Sequence, residues 1–152
     1  LKAGFYGLIA LVLFMVIFYR GFGLVAVFAL LFYTVLVLAI FKLIPVTLTL
    51  AGIAGFILTL GMAVDGNILI FSRIKEEIKD GKNRAAAIEA GFQRAWSSIR
   101  DSQITTLIAA AILYIFSTSL VKGFALTLAI GTIFSIFSAV YVTRIFLKSI
   151  YR

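Results

Sequence analysis

The strongest constraint on the fold of this chain is a single carboxylate inside a long apolar stretch. Residues 47–73 read TLTLAGIAGFILTLGMAVDGNILIFSR, which is long and apolar enough to cross a bilayer, and Asp65 lies within it. An ionised carboxylate at the centre of a membrane helix costs about 2.5–3.5 kcal/mol on insertion scales. We therefore expect Asp65 to be kept for a function or to be hidden against neighbouring helices, which the rest of the chain supplies.

The composition places the chain among helical membrane proteins. Of its 152 residues, 63% are hydrophobic, against roughly half in soluble domains. The apolar runs are continuous rather than alternating, which predicts membrane helices and excludes a membrane β-barrel. Cys and His are absent, so we expect no disulfide and no metal centre. The net charge of +8 fits the enrichment of Lys and Arg beside the cytoplasmic ends of spans, so we expect no nucleic-acid partner.

We predict an all-α polytopic bundle with five spans and one cytoplasmic amphipathic helix. Each span is close to the roughly 20 residues needed to cross about 30 Å of hydrocarbon. In the 84–99 segment, apolar residues recur at helical spacing, which predicts a helix lying on the membrane surface. That helix could brace two spans, or it could dock a partner. The predicted spans are 1–19, 22–41, 49–71, 103–118 and 123–146.

The apolar run at the very start of the chain suggests a piece of a longer protein, so we treat 1–152 as one transmembrane domain fragment. Eleven of the 14 Lys and Arg residues lie in the first short loop, the 73–101 loop and the C-terminal tail. All three segments fall on the same side of the predicted bundle. Because basic loops stay in the cytoplasm, the C-terminus is predicted to be cytoplasmic and the first residue to lie outside.

Small residues mark two of the spans as tightly packed. Gly61 and Gly66 flank Asp65 in the third span, whereas Gly131 and Ser135 belong to a stripe of small residues that repeats every four positions in the fifth. Small residues allow helix backbones to approach closely in membranes. We expect all four to pack helices, and Gly61 and Gly66 to allow the slight rearrangement that a two-state bundle needs.

Several polar residues could serve the carboxyl group of Asp65. Ser102, Thr105 and Thr106 open the fourth span at a similar predicted depth. Asn67 follows two residues after Asp65, so it should point roughly the other way. We predict these four as hydrogen-bond partners or as the lining of a proton path. Helix packing, or bonding to the carbonyl groups of their own helix, is the alternative for each hydroxyl.

Asp65 is the only acidic residue inside any predicted span. Removing a carboxyl group from water favours its protonated form, so we expect Asp65 to load and release a proton near neutral pH. Ionisable groups within spans tend to lie on ion pathways, although a purely structural carboxyl group is the alternative. No nucleophile–base pair or phosphate-binding loop accompanies it. We therefore predict no enzymatic activity and no cofactor, with protons as the coupling ion.

The residues around Asp65 carry a family resemblance. The 61–77 segment, GMAVDGNILIFSRIKEE, closely resembles the signature GMAVDANVLIFERIKEE of the SecD family of bacterial protein-export membrane proteins. The resemblance covers about 44–147 and includes the run KGFALTLAIGTIFS in the fifth span. The chain departs from the signature at Gly66, where Ala is usual, and at Ser72, where Glu is usual. A related exporter would read more like GLLVDDAIVVVEN at this position.

This resemblance implies a fold and a function. The family belongs to the resistance-nodulation-division superfamily and has six membrane helices, with a large outer domain between the first two, so this chain would supply helices two to six. The implied function is to use the proton-motive force to assist preprotein translocation through the SecYEG channel in the bacterial inner membrane. The implied partners are SecF, SecYEG, YajC, the preprotein and membrane lipid, with Asp65 as the proton carrier. A drug or lipid exporter of the same superfamily, or a purely structural membrane anchor, are the alternatives.

Overall fold

A computed structural model describes residues 2–150 as a bundle of long helices. Five helices in this part of the chain are long and apolar enough to cross a membrane, as the sequence predicts. Leu1, which the sequence places in the first span, lies outside the described residues, as does the end of the basic tail. The helices are α1 (Lys2–Tyr19), α2 (Gly21–Leu43), α3 (Leu50–Lys79), α4 (Arg84–Phe116), α5 (Ser119–Phe137) and α6 (Arg144–Ile150), with a π-helical segment at Ser138–Thr143 joining the last two.

Local capping sets the ends of the two longest helices. The Thr49 side chain accepts a hydrogen bond from the backbone N–H of Gly52 and caps the start of α3, and Asn83 caps α4 by accepting from Ala86. Gly81 has a φ of +89°, a conformation that glycine adopts without steric cost and that commonly ends helices. The chain therefore reverses within a few residues between α3 and α4, and the two helices pack antiparallel.

Helices α3 and α4 extend beyond the thickness of a bilayer. They contain 30 and 33 residues, which correspond to about 45 and 50 Å of helix. The charged residues from Arg73 to Lys79 lie in the excess length of α3, so that end of the helix projects out of the apolar layer. We call this end of the bundle, formed by residues 73–101 and α6, the charged end.

The amphipathic 84–99 segment is helical as predicted, but it is not a separate surface helix. The helix α4 continues without a break from Arg84 to Phe116, so this segment and the fourth span are one element. Its apolar residues Ala87, Ile88, Ala95 and Ile99 are buried in the hydrophobic core. The apolar stripe therefore packs against protein, including the projecting end of α3, where Gly91 lies against Ile74.

Helices α3 and α5 run parallel and form the tight centre of the bundle. A Cβ atom on Gly131 would lie 2.5 Å from the Thr59 hydroxyl oxygen, and one on Gly55 would collide with Thr127. Because side chains larger than hydrogen would separate the two backbones at these points, glycine is required there. The close approach buries the Thr59 and Thr127 side chains completely.

Helix α2 packs across this centre, and α1 lies outermost. The Tyr33 hydroxyl donates to the carbonyl oxygen of Gly131 at 2.9 Å, and the rings of Phe22 and Phe71 stack with centroids 5.5 Å apart. In α1, Met15 is the one buried side chain among the described residues of that helix. Much of the remaining surface consists of exposed aromatic and aliphatic side chains, as expected for helices that face lipid.

The predicted fifth span contains a change of helical form that the sequence did not predict. Residues Ser138–Thr143 adopt a π-helix between α5 and α6. The Thr143 hydroxyl also lies 3.4 Å from the carbonyl oxygen of Ser138, five residues earlier. Short π-helical segments often occur at functional sites because the extra residue redirects side chains.

Candidate functional site

Asp65 lies in an open cleft between α3 and α4. The cleft has a volume of about 370 Å³. Its α3 wall follows one helical face, since Met62, Asp65, Gly66 and Leu69 are spaced three or four residues apart. Asp65 lies eight residues before Arg73, about 12 Å deeper along the helix. The lining residues of α4 are Ile99, Ser102, Gln103 and Thr106.

The expectation that other helices of this chain hide Asp65 was wrong. Asp65 is exposed, whereas its neighbours Val64 and Gly66 are buried. The reason lies in the orientation of α3, whose buried face carries Ala63, Asn67 and Ile70 and packs into the bundle. Asp65 lies off that face, and its carboxyl group makes no hydrogen bond or ion pair with residues 2–150. In a membrane, lipid or another protein must therefore cover the mouth of the cleft.

The three predicted hydroxyl partners bond to their own helix instead of to Asp65. The Ser102 hydroxyl donates to the Ile99 carbonyl at 2.9 Å, Thr105 to Asp101 at 2.9 Å, and Thr106 to Ser102 at 3.0 Å. Ser102 and Thr106 line the cleft with Asp65, but Thr105 does not. This arrangement matches the alternative that the sequence left open, in which the hydroxyls satisfy local carbonyl groups.

Asn67 lies on the opposite side of α3, inside the bundle. Its Oδ1 atom accepts a hydrogen bond of 2.7 Å from the Thr143 hydroxyl, and both side chains are buried. The Ser138 hydroxyl donates to the carbonyl oxygen of Ala29 at 3.4 Å. A buried polar cluster thus ties α3, the π-helical segment and α2 together, and Asn67 does not reach the cleft that contains Asp65.

The four predicted packing residues differ in their surroundings. Gly131 makes the closest approach, against Thr59, and Ser135 is buried on the same helix. A Cβ atom on Gly66 would meet Ala139 at 3.9 Å, an ordinary contact, while one on Gly61 would meet nothing within 4 Å. Gly61 therefore makes no close helix approach among the described residues, and it borders an apolar groove of about 470 Å³ that α1 lines from the other side.

Gln103 is the residue of the cleft that sequence analysis missed. It is 5% exposed, and its Oε1 atom has no hydrogen-bond partner among the described residues. A buried polar atom without a partner costs about 1–3 kcal/mol. The signal in the sequence was an amide residue next to Ser102 at the start of an apolar span, with Thr106 three residues later.

Two sets of ion pairs at the charged end connect α3 with α4 and α4 with α6. Glu77 is paired with Lys82 and, at 2.7 Å, with Arg94. The hydrogen bonds from Lys82 and then Arg94 hold the pKa of Glu77 below its usual range. Arg144 and Lys148 likewise lower the pKa of Glu89 through their hydrogen bonds. These ion pairs lie at the charged end and fix the middle of the amphipathic segment, at Glu89 and Arg94, to α6 and α3.

A cavity between helices with one carboxylate is an arrangement that can bind a small cation or a proton. The described residues contain no group of three or more His, Cys, Asp or Glu side chains arranged to bind a metal ion. A protonated carboxyl group can donate one hydrogen bond, and an ionised one can only accept. Proton exchange between Asp65 and water in the cleft is therefore one reaction that this arrangement allows.

These features define a multi-pass helical membrane domain with one acid in a cleft between two spans. Residues 2–152 match the family model described as protein export membrane protein SecD/SecF, C-terminal, and the chain belongs to this family. The resemblance predicted from the 61–77 segment is thus confirmed.

Two similar proteins illustrate how much of the family the chain covers. The protein translocase subunit SecD of Dehalococcoides mccartyi is 57% identical over 152 aligned residues, which cover 97% of this chain and 34% of that protein. The corresponding subunit of Synechocystis is 56% identical, with 95% of this chain and 30% of that protein covered. The chain therefore spans about a third of the length of these curated relatives.

The predicted fold class is confirmed by solved structures. The crystal structure of SecDF from Thermus thermophilus, described as a translocon-associated membrane protein, matches with a TM-score of 0.95 at 43% identity, and covers 98% of this chain and 21% of that chain. A structure of SecDF in a super-membrane-facing form matches with a TM-score of 0.92 at 43% identity, and covers 99% of this chain and 21% of that one.

Proposed function

We propose that this chain is the proton-binding membrane region of a Sec protein-export subunit, in which Asp65 takes up and releases the protons that drive preprotein movement. The observation that carries the proposal is the position of Asp65. It is the only acidic residue within the predicted spans, and it lines a cleft large enough for several water molecules. A carboxyl group at such a depth is retained at a cost, which favours a role in ion transfer.

The surroundings of the cleft support an exchange of protons rather than a permanent ion pair. No cationic residue lines it, and the ion pairs recorded among residues 2–150 lie at the charged end. The proton would then be the coupling ion, and neither an enzymatic reaction nor a cofactor is needed. Movement of the proton down its gradient would change the charge of Asp65 and, with it, the packing of α3 against α4.

The partners follow from the family and from the exposed site. SecF is the first candidate because the matching solved structures are named SecDF and because the mouth of the Asp65 cleft is uncovered in this chain. SecYEG, YajC and the translocating preprotein are proposed as further partners. The excess of Lys and Arg at the charged end favours a cytoplasmic position for that end in the bacterial inner membrane.

The test is an Asp65→Asn substitution in the full-length protein that contains this chain. Preprotein export into inverted membrane vesicles is measured with and without a proton gradient. We expect Asp65→Asn to abolish the stimulation by the gradient while membrane insertion stays normal. The matched control is Asp101→Asn, because Asp101 is an exposed carboxylate at the charged end whose ion pair with Arg100, at 3.1 Å, lies on the surface. That control should keep the stimulation.

Two results would overturn the proposal. Normal gradient-dependent export in the Asp65→Asn variant would reduce the chain to a membrane anchor. Hypersensitivity to drugs on deletion of the protein, without a secretion defect, would place it among the exporters of the superfamily instead.

A further inference from the structure

The Asp65 cleft contains one polar atom whose hydrogen bonding is incomplete. Gln103 borders the cleft from α4 and is 5% exposed. Its Oε1 atom is closed to solvent and has no partner in the part of the chain that the structure describes. Buried acceptors of this kind are nearly always satisfied in native structures, so a donor must reach Gln103 in at least one state of the protein.

Among the side chains that line the cleft, one is a candidate for that donor. Met62, Leu69 and Ile99 have no polar hydrogen. The hydroxyl hydrogens of Ser102 and Thr106 are already used, because both groups donate to backbone carbonyls of α4. The remaining lining side chain that can acquire a donor is Asp65, and it does so only when its carboxyl group binds a proton.

We propose that Gln103 is a positioning residue that hydrogen-bonds the carboxyl group of Asp65 in both of its protonation states. The inference deepens the proposed function and rests on it. Oε1 of Gln103 accepts from the protonated carboxyl group. When the proton passes to water in the cleft, the amide turns over and its Nε2–H group donates to the carboxylate.

An amide side chain suits this role because it carries an acceptor and a donor on the same planar group. The hydroxyl groups of Ser102 and Thr106 cannot take this role, because each already donates to its own helix. Since Gln103 belongs to α4 and Asp65 to α3, the bond would link the two helices at the point where the charge changes. A change in the protonation of Asp65 would then reach α4 as a change in which atom of the Gln103 amide makes the hydrogen bond.

The experiment follows the carboxyl group itself and does not depend on export. The full-length protein is reconstituted in lipid vesicles, and the protonated C=O stretch of Asp65 is titrated by infrared difference spectroscopy, with Asp65→Asn to assign the band. The test variant is Gln103→Met, which keeps an unbranched side chain and removes the amide. The control is Gln93→Met on the exposed face of the same helix, and Gln103→Asn tests rescue by a shorter amide.

We expect Gln103→Met to move the C=O band to higher frequency and to shift the midpoint of the titration. The shift should be about half to one pH unit, which is a three- to tenfold change in proton binding. Gln93→Met should change neither the band nor the midpoint, and Gln103→Asn should bring both part of the way back to their values in the unmodified protein. An unchanged band and midpoint in Gln103→Met would overturn the inference while leaving Asp65 as the proton-binding group.

A second measurement covers the case in which Gln103→Met fails to fold. The side-chain amide signals of Gln103 are followed by nitrogen-15 NMR in the unmodified protein over the same pH range. We expect them to shift at the midpoint of the Asp65 band, and amide signals that stay constant through that midpoint would overturn the inference. If instead no titrating band disappears in Asp65→Asn, the proposed function itself fails.

Discussion

The hydroxyl group of Thr143 donates a hydrogen bond of 2.7 Å to Oδ1 of Asn67, across 76 positions of sequence. Both side chains are buried. Asn67 lies two residues after Asp65 on α3, and Thr143 ends the π-helical segment. One bond therefore connects the helix of the candidate site to the irregular part of the last span.

The first prediction concerns this bond. We expect Thr143→Val to destabilise the bundle by about 1–3 kcal/mol, because a valine of similar shape leaves the buried Asn67 oxygen without its donor. The control is Thr132→Val, since Thr132 is equally buried but donates only to the Leu128 carbonyl of its own helix. Unfolding in mixed detergent micelles measures both, and an equal loss in the two variants would contradict a special role for the Asn67 bond.

The second prediction concerns the contact between α3 and α5. A Cβ atom on Gly131 would come within 2.7 Å of three Thr59 atoms, so Gly131→Ala should cost about 1–3 kcal/mol through overpacking. Gly61→Ala is the matched control, because its Cβ atom would meet nothing within 4 Å and alanine is the better helix former. The same unfolding measurement should find the Gly61 variant as stable as the unmodified protein, or more stable. If Gly131→Ala is as stable as the unmodified protein, α3 and α5 can move apart at this point without loss of stability, and the prediction is wrong.

The third prediction concerns the bond between α2 and α5. Tyr33→Phe removes the hydroxyl that donates to Gly131 at 2.9 Å and should cost about 0.5–1.5 kcal/mol. Tyr114→Phe removes an exposed hydroxyl of α4 and should have no measurable effect. Thermal unfolding in detergent distinguishes the two, and identical midpoints for both variants would show that the buried bond contributes little.

The fourth prediction is a pH dependence at the charged end. The pKa of Glu77 is lowered by Lys82 and Arg94, so its ion pairs stabilise the folded chain above the ordinary carboxyl value of 4.5. This contribution should disappear as the pH falls through the lowered pKa, because the protonated group loses its charge. We therefore expect Glu77→Gln to lower the thermal midpoint at pH 7 and to match the unmodified protein at strongly acidic pH.

The neighbouring carboxylate provides the control for that experiment. Glu76 pairs with Arg73 and Arg94, but its side chain is 47% exposed, against 5% for Glu77. Exposed ion pairs contribute little to stability, so Glu76→Gln should have a small effect at either pH. A difference between Glu77→Gln and the unmodified protein that persists at low pH would indicate a packing effect of the side chain instead of an effect of its charge.

The sequence by itself determined the class of protein, the five spans and the family. Continuous apolar runs of about 20 residues leave few alternatives, because only helices satisfy the backbone of a chain that crosses lipid in such runs. The 61–77 segment was specific enough to predict the SecD/SecF family, and Asp65 stood out because no other acidic residue lies within a span.

Only the tertiary structure decided which face of each helix is buried. It placed Asp65 in an open cleft, joined the 84–99 segment to the fourth span as one helix, and brought Thr143 to Asn67. It also left Oε1 of Gln103, beside the cleft, without a hydrogen-bond partner among residues 2–150. Helical periodicity groups residues into faces but does not say which face meets which helix. That choice depends on the fit of side chains far apart in sequence, as at Gly131 and Thr59, where a single hydrogen in place of a methyl group sets the distance between two helices.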